Sequence, residues 1–332
     1  MPKNIVVCSD GTGNSGILNR GTNVFKIFEA LDLNSHQTNP QAVRQVAIYD
    51  DGVGSQDFLP LKLLGGAFGW GLSKNIRRLY LEIARVYEPG DRLYFFGFSR
   101  GAFTVRMLAG LIADMGLLDL HQQQFSDSGH MGRSVERLYD MHRRKYPSLL
   151  QKLWGRVASD AAALTFRNKN CVPGDISIEF LGVWDTVNAV GVPFEEGRWL
   201  LNKLFFCVTF PDQRVLDNVQ HAYHALSIDD ERQTFHPTMW EPDPKVEQVW
   251  FPGVHANVGG GYPKQGISLV ALDWMMSKAE AHQLYFVPEV RRLYRALQSE
   301  SDKLYDSRSG AAVYYRFAPR DISQLSRFRG CP

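Results

Sequence analysis

The sequence predicts an α/β fold, a mainly parallel sheet with helices on both faces. Three observations carry this expectation. Short apolar, β-branched or aromatic runs recur along the chain, most of them followed by helical periodicity. Several of these runs end in a loop that holds a chemically useful side chain. No Pro/Ser/Gly-rich linker, internal repeat or low-complexity tract divides the 332 residues, which read as a single domain over 1–332.

Five runs read as buried strands: Ile5–Cys8, Val46–Tyr49, Leu93–Phe96, Ile176–Val183 and Val246–Phe251. Between the second and third, Ile76, Leu79, Tyr80, Ile83 and Tyr87 form the stripe of an amphipathic helix that stops at Pro89-Gly90. A further helix is expected from Ala102 to Met115. Residues 117–172 contain helical segments and no clear strand. They read as a helical insertion over the strand ends, the usual place for a lid, or as plain connecting helices. Later helices are expected over Gln213–Ser227, Leu269–His282 and Pro288–Leu297, with an edge strand over Val313–Phe317. Alternation of strand and helix argues for a parallel sheet covered on both faces, whose ligands bind beyond the carboxyl ends of the strands.

Composition excludes several classes. A net charge of +2 with mixed signs gives no footprint for nucleic acid, and Arg77-Arg78 and Arg143-Arg144-Lys145 read as solvated helix faces. Cys8, Cys171, Cys207 and Cys331 are far apart and form no C-x-x-C pair, which argues against a disulfide framework or a metal site. No cofactor is expected. The N-terminus lacks the charged and apolar regions of a signal peptide, and the most apolar stretch, Phe58 to Leu72, is interrupted by Lys62 and four glycines. The expectation is a protein cytoplasmic as synthesised, with export by a route that needs no signal peptide left open.

Gly97-Phe98-Ser99-Arg100-Gly101 stands between the third strand and the Ala102–Met115 helix, where G-x-S-x-G reads as a nucleophile elbow. A serine on so sharp a turn needs neighbours without side chains two residues away on either side, here Gly97 and Gly101. The turn lifts the hydroxyl clear of the sheet and aims the first helical amides at the reaction centre. The fourth strand ends at Trp184-Asp185-Thr186 and the fifth is followed by His255. Serine, aspartate and histidine then close three successive strands in the order Ser…Asp…His of an α/β-hydrolase.

A serine hydroxyl needs a base, and the base an orienting group. His255 has the best position. His224, placed with His221 on the expected 213–227 helix, is the reserve, and His236 lies in a Thr-Phe-His-Pro turn. For the acid, Asp185 leads; Asp10 and Asp50 share the same sheet edge but could instead cap their own loops. Asp229 and Asp230 read as a solvated turn. The oxyanion would be met by the amide of Arg100 and by the loop of Gly11, Thr12 and Gly13, its shape held by Asp10 and Asn14. That loop also spells G-x-G-x-x-G from Gly11 to Gly16, a dinucleotide fingerprint. The acidic residue expected some 20 positions on is missing, because the second strand ends only at Asp50. Asp10-Gly11-Thr12 fits an aspartyl-phosphate phosphatase no better, since the nucleophile's place is taken by Cys8.

Four stretches together resemble one α/β-hydrolase family. They are Asp10–Asn14, Gly97–Arg106, Phe180–Val187 and Trp250–Tyr262, and Ala225–Arg232 with Phe235, Pro237 and Trp240 fits as well. The resemblance spans roughly 5–285. The family, long catalogued as an uncharacterised domain, includes the catalytic domains of type VI secretion phospholipase effectors of the first lipase class. It implies a Ser99–Asp185–His255 triad and hydrolysis of lipid esters, glycerophospholipids foremost. It also admits an immunity protein or a secretion partner. One departure is Asn257, where the family more often carries Asp; the chain is also shorter than many secreted effectors.

The expected partner is thus a lipid or ester substrate, with membrane-surface contact through two apolar stretches: Phe58, Leu59, Leu61, Leu63, Leu64, Phe68 and Trp70, and Trp199, Leu200, Leu201, Leu204, Phe205 and Phe206. The alternatives are a soluble carboxylesterase on small esters and a non-catalytic scaffold of the same fold.

Overall fold

The computed structural model describes residues 2–11, 21–52, 67–122, 125, 127–145, 160–187, 213–308 and 315–323. Six strands form one sheet: β1 (Asn4–Ser9), β2 (Gln45–Asp50), β3 (Arg92–Phe98), β4 (Ile178–Trp184), β5 (Val219–Ser227) and β6 (Val246–Phe251). Their order is β2-β1-β3-β4-β5-β6, and every pair is parallel.

The helices are α1 (Asn23–Ala30), the one-turn α2 (Ser35–Thr38), α3 (Ala67–Val86), α4 (Arg100–Met115), α5 (Ser128–Lys145), α6 (Asp160–Asn170), α7 (His255–Gly259), α8 (Gly266–Ala281) and α9 (Pro288–Leu297). Alternation along the strands sends side chains to two cores. Ile5, Val7, Leu93 and Phe95 meet Leu79, Tyr80 and Ile83 of α3 and Phe103 and Leu108 of α4. Val6, Cys8, Tyr94 and Phe96 meet Val24 and Ile27 of α1 and Leu272, Met275 and Met276 of α8. Each fully buried aliphatic or aromatic side chain contributes about 1.5–3 kcal/mol. A sheet buried on both faces is what lets the central strands read as continuous apolar runs.

Two expectations are corrected. Val219–Ser227, expected to end a helix, is β5, so the sheet has six strands rather than five, and His221 and His224 sit on a strand. Val219, Ala222, Tyr223 and Leu226 repeat at helical spacing because β5 packs into both cores, Val219 and Ala222 into one and Tyr223 and Ala225 into the other. Burial on both faces erases the alternation that betrays a strand. In consequence Ser99, Asp185 and His255 follow β3, β4 and β6, not three successive strands.

The register brings the carboxyl ends level. Ser9 pairs with Gly97, Phe98 with Trp184, and Trp184 with Ala225. The ladder continues one step beyond the strands: Ser99 N donates to Trp184 O (3.0 Å) and Asp185 N to Ala225 O (2.8 Å). The order of strands reverses between β1 and β3, at the place where ligands bind in sheets of this kind. Thr12, Gly13 and Asn14, the stretch from Phe58 to Trp70 as a set of side chains, the stretch from Trp199 to Phe206, Cys207, Cys331 and Val313 lie outside the described residues, as does part of the 117–172 insertion.

Candidate active site

Ser99 caps α4 with φ 57° and ψ −120°, a left-handed conformation that a side chain seldom adopts. The two flanking glycines make it possible. A Cβ at Gly97 would stand 2.6 Å from Ala102 Cα, and one at Gly101 would stand 2.0 Å from Ser9 O and 2.6 Å from Asp10 O. The end of β1 thus presses directly on the start of α4. Asp185, one step past β4, is also left-handed (φ 37°) and is fully buried.

The Asp185 carboxylate is surrounded by donors. His255 Nδ1 lies 2.6 Å from Oδ2, Ser227 donates its N–H to Oδ1 (3.1 Å) and its hydroxyl to Oδ2 (3.0 Å), and Arg320 donates Nη1 to Oδ1 (2.8 Å) and Nη2 to Oδ2 (3.0 Å). Burial would raise this carboxyl. The Arg320 guanidinium and His255 overcome burial and hold it well below the ordinary carboxylate range. A carboxylate held so firmly ionised fixes His255 as the tautomer with its proton on Nδ1. His255 is buried, which lowers its imidazole below the usual value against the pull of Asp185. Among the described residues no hydrogen bond joins Ser99 to His255, whose Nδ1 is turned to Asp185.

His255 opens α7, which ends at Gly259. Asn257 is buried: its Oδ1 accepts from Val254 N (3.4 Å) and Tyr305 N (3.2 Å), and its Nδ2 donates to Lys303 O (3.1 Å). A side-chain amide, which both accepts and donates, suits this site; a carboxylate could not donate to Lys303. Of the Asp229-Asp230 pair only Asp229 is exposed, as a solvated turn would have it; Asp230 is not. Asp229 Oδ2 accepts from Gly253 N (2.6 Å), and Asp230, fully buried, accepts from His255 N (3.1 Å) and from the Arg232 side chain. Together they tie the end of β6 to the end of β5. A solvated reading failed because Arg232, two residues on, neutralises Asp230 from within the same segment.

The remaining candidates fall into place. His224 is fully buried; its Nε2 accepts from Thr186 N (3.1 Å), its Nδ1 faces Gln248 Oε1 (3.4 Å), and burial pushes it down to about 3. It braces the turn after Asp185, and both of its ring nitrogens are engaged there. Asp10 accepts from Gly11 N (2.7 Å), Thr22 Oγ1 (2.5 Å) and Tyr49 Oη (2.7 Å), and burial raises it to about 6. Asp50 is engaged by Ser9, Asn75 and Arg78. Arg100 stands at the first position of α4, where its amide is expected to meet an oxyanion; the Gly11 amide, by contrast, is turned to Asp10.

Arg320 is the residue that sequence reasoning missed. Nothing local marks it, because every group it touches is at least 85 residues away. Among the described residues, Glu179, His221 and His282 form a group with ligand atoms within 4.8 Å of one another. It lies at the opposite pole of the sheet, near the starts of β4 and β5. The two imidazoles stack at 3.7 Å with planes 23° apart, and His282 Nε2 lies 2.8 Å from Tyr223 Oη.

The sheet and its strand ends define an α/β-hydrolase-like fold. Residues 3–278 match the family described as T6SS, phospholipase effector Tle1-like, catalytic domain, and the chain belongs to that family. It is 30% identical over 261 residues to the uncharacterized protein YEL023C of Saccharomyces cerevisiae, covering 75% of this chain and 34% of the yeast protein. Among solved structures it is similar to an uncharacterized protein from Pseudomonas aeruginosa (TM-score 0.48, 19% identity, 90% of this chain and 49% of that one). It is similar too to the Tle1 effector bound to the VgrG spike of the type 6 secretion system (TM-score 0.41, 15% identity, 80% and 52%). The chain therefore spans about a third to a half of the length of these relatives. No helix among the described residues is long and apolar enough to cross a membrane.

Proposed function

We propose that this chain is a serine hydrolase that cleaves carboxylic esters of lipids, glycerophospholipids foremost, through Ser99, His255 and Asp185. The observation that carries the reading is the 2.6 Å contact of His255 Nδ1 with the buried Asp185 carboxylate, one strand-end away from a serine held at positive φ. Ser99 Oγ attacks the acyl carbonyl while His255 Nε2 takes its proton. The tetrahedral oxyanion is met by the Arg100 amide at the positive end of α4 and by a donor from the loop after Gly11. Collapse expels the alcohol, protonated by His255, and water repeats the sequence on the acyl-enzyme. The lipid substrate rests on family membership. A secretion partner or immunity protein, a lid within 117–172 and a single domain over the whole chain belong to the same reading.

A fluorophosphonate probe and a panel of substrates test it. Wild-type protein should be labelled at Ser99, whereas Ser99→Ala and His255→Ala should not react. Each should lose roughly three to six orders of magnitude in turnover, with the double variant scarcely worse than either. Absence of labelling in folded wild-type protein would make this a non-catalytic scaffold. Rates that rise when phospholipid passes from monomers to vesicles support a lipid substrate. Saturation on short monomeric esters without response to vesicles would make it a soluble carboxylesterase.

A further inference from the structure

Arg320 lies beyond the stretch matched by the family, which ends at residue 278. Its guanidinium is fully buried, and each of its five N–H groups has its own acceptor. Nε donates to Asp230 O (3.0 Å), Nη1 to Asp185 Oδ1 (2.8 Å) and Ser227 O (2.5 Å), and Nη2 to Asp185 Oδ2 (3.0 Å) and Phe235 O (2.6 Å). The segment that carries it is laced to the same neighbourhood. Ala318 N donates to Glu231 O (2.8 Å) and Gln233 N to Arg316 O (3.0 Å). The Tyr315 ring meets Phe235 edge-on at 5.6 Å, and Phe235 meets the His255 ring edge-on at 4.9 Å.

We propose that Arg320 is a positioning residue of the hydrolytic centre and that residues 315–320 belong to the catalytic unit. The guanidinium fork holds the Asp185 carboxylate in the plane that meets His255 and competes with His255 for its charge. The proposal rests on the triad reading above. Geometry supports it first: two parallel N–H···O bonds fix a carboxylate's plane, and Lys, a point charge with rotatable donors, cannot reproduce the fork. With Ser227 supplying two further donors, rotation of the carboxylate away from His255 would break the pair on both oxygens.

Charge supplies the second support. The working pair, ionised Asp185 with neutral His255, carries one negative charge, and adding a proton neutralises it. A neighbouring cation disfavours that proton whichever residue would hold it. The other groups that act on the pair are Asp230 and Arg232 from the segment after β5 and His224 on β5; Arg106 of α4 acts on His224, and the phenols of Tyr262 and Tyr315 act on Arg232. Arg232 is committed to Asp230, which leaves Arg320 as the cation directly paired with Asp185.

The test compares full pH profiles of kcat/KM on one ester for wild type, Arg320→Met, Arg320→Lys and Ser99→Ala, with folding followed by circular dichroism. Arg320→Met should move the acid limb up by about one to three pH units and lower kcat roughly 100-fold. Arg320→Lys keeps a charge and loses the fork, so its limb should stay near that of wild type while kcat falls at least about tenfold. A purely packing role would lower Tm and leave the limb in place. An unshifted limb in folded Arg320→Met overturns the proposal. If Arg320→Met does not fold, wild-type kcat in Arg320→Lys overturns it, as does a kcat loss that comes with a lowered Tm, whereas reduced kcat at wild-type Tm with an unmoved limb supports it. Turnover surviving in Ser99→Ala would instead overturn the triad reading itself.

Discussion

Phe98 lies against the imidazole of His255, with ring centroids 4.6 Å apart and planes at 35°. The residue that precedes the serine on β3 is therefore the surface on which the histidine that opens α7 rests. Gly259, one turn beyond His255, provides the room: a Cβ there would stand 2.0 Å from Phe98 Cε2. Phe235 closes the other side of the ring edge-on. The imidazole packs against two aromatic side chains with Nδ1 on Asp185, and the end of β3 carries both Ser99 and one of the rings against which His255 rests.

Gly259→Ala should break that arrangement. The new methyl must push Phe98 aside, and the strain of overpacking costs about 1–3 kcal/mol. Because Phe98 adjoins Ser99, fluorophosphonate labelling should slow markedly in protein that remains folded. Thermal unfolding and labelling rate, measured together, check it; wild-type labelling would mean that Phe98 does not set the position of His255.

Asp185→Asn should keep the shape of the turn but present the wrong imidazole tautomer. The loss in turnover is expected at about 10⁴-fold, by analogy with a serine protease. Arg320 would lose its carboxylate at the same time, and breaking a buried pair by removing one partner costs about 3–5 kcal/mol. Steady-state rates and a denaturant titration read the two effects separately, and near-normal turnover would remove Asp185 from the orienting role.

The activity should extend into mild acid. Burial holds His255 below the usual imidazole value, and the base must be neutral to accept the serine proton. The acid limb of kcat/KM should accordingly fall below pH 6.5, with full activity retained above it. A limb above that value would show that the pair takes its proton more readily than its surroundings allow.

His224 offers the matching contrast. With its imidazole pushed down to about 3 in the fold, the unfolded chain binds the extra proton between about pH 6.5 and 3. Its contribution to stability is present above the unfolded value and is lost as pH falls through this window. His224→Gln should flatten the dependence of stability on pH there and still label with fluorophosphonate. Chemical denaturation at several pH values checks it, and loss of labelling in folded His224→Gln would return His224 to the list of bases.

How much of this was legible in the chain depended on whether the signal was local. Ser99 announces itself through Gly97 and Gly101, whose missing side chains a tight turn demands, and Asp185 and His255 through the apolar runs before them. β5 hid because burial on both faces gave it the spacing of a helix. Asp230 hid because a run of four charged residues reads as solvent-facing, whereas Arg232 folds back to neutralise it. Arg320 could not be found at all, since its partners are joined to it only in space.

The strand order β2-β1-β3-β4-β5-β6 gives synthesis a direction. Once the first three strands have met, each later strand joins the same growing edge in the order in which it leaves the ribosome. No strand has to be inserted between two already paired. The serine is thus installed early, its imidazole much later, and the guanidinium that grips the carboxylate last of all.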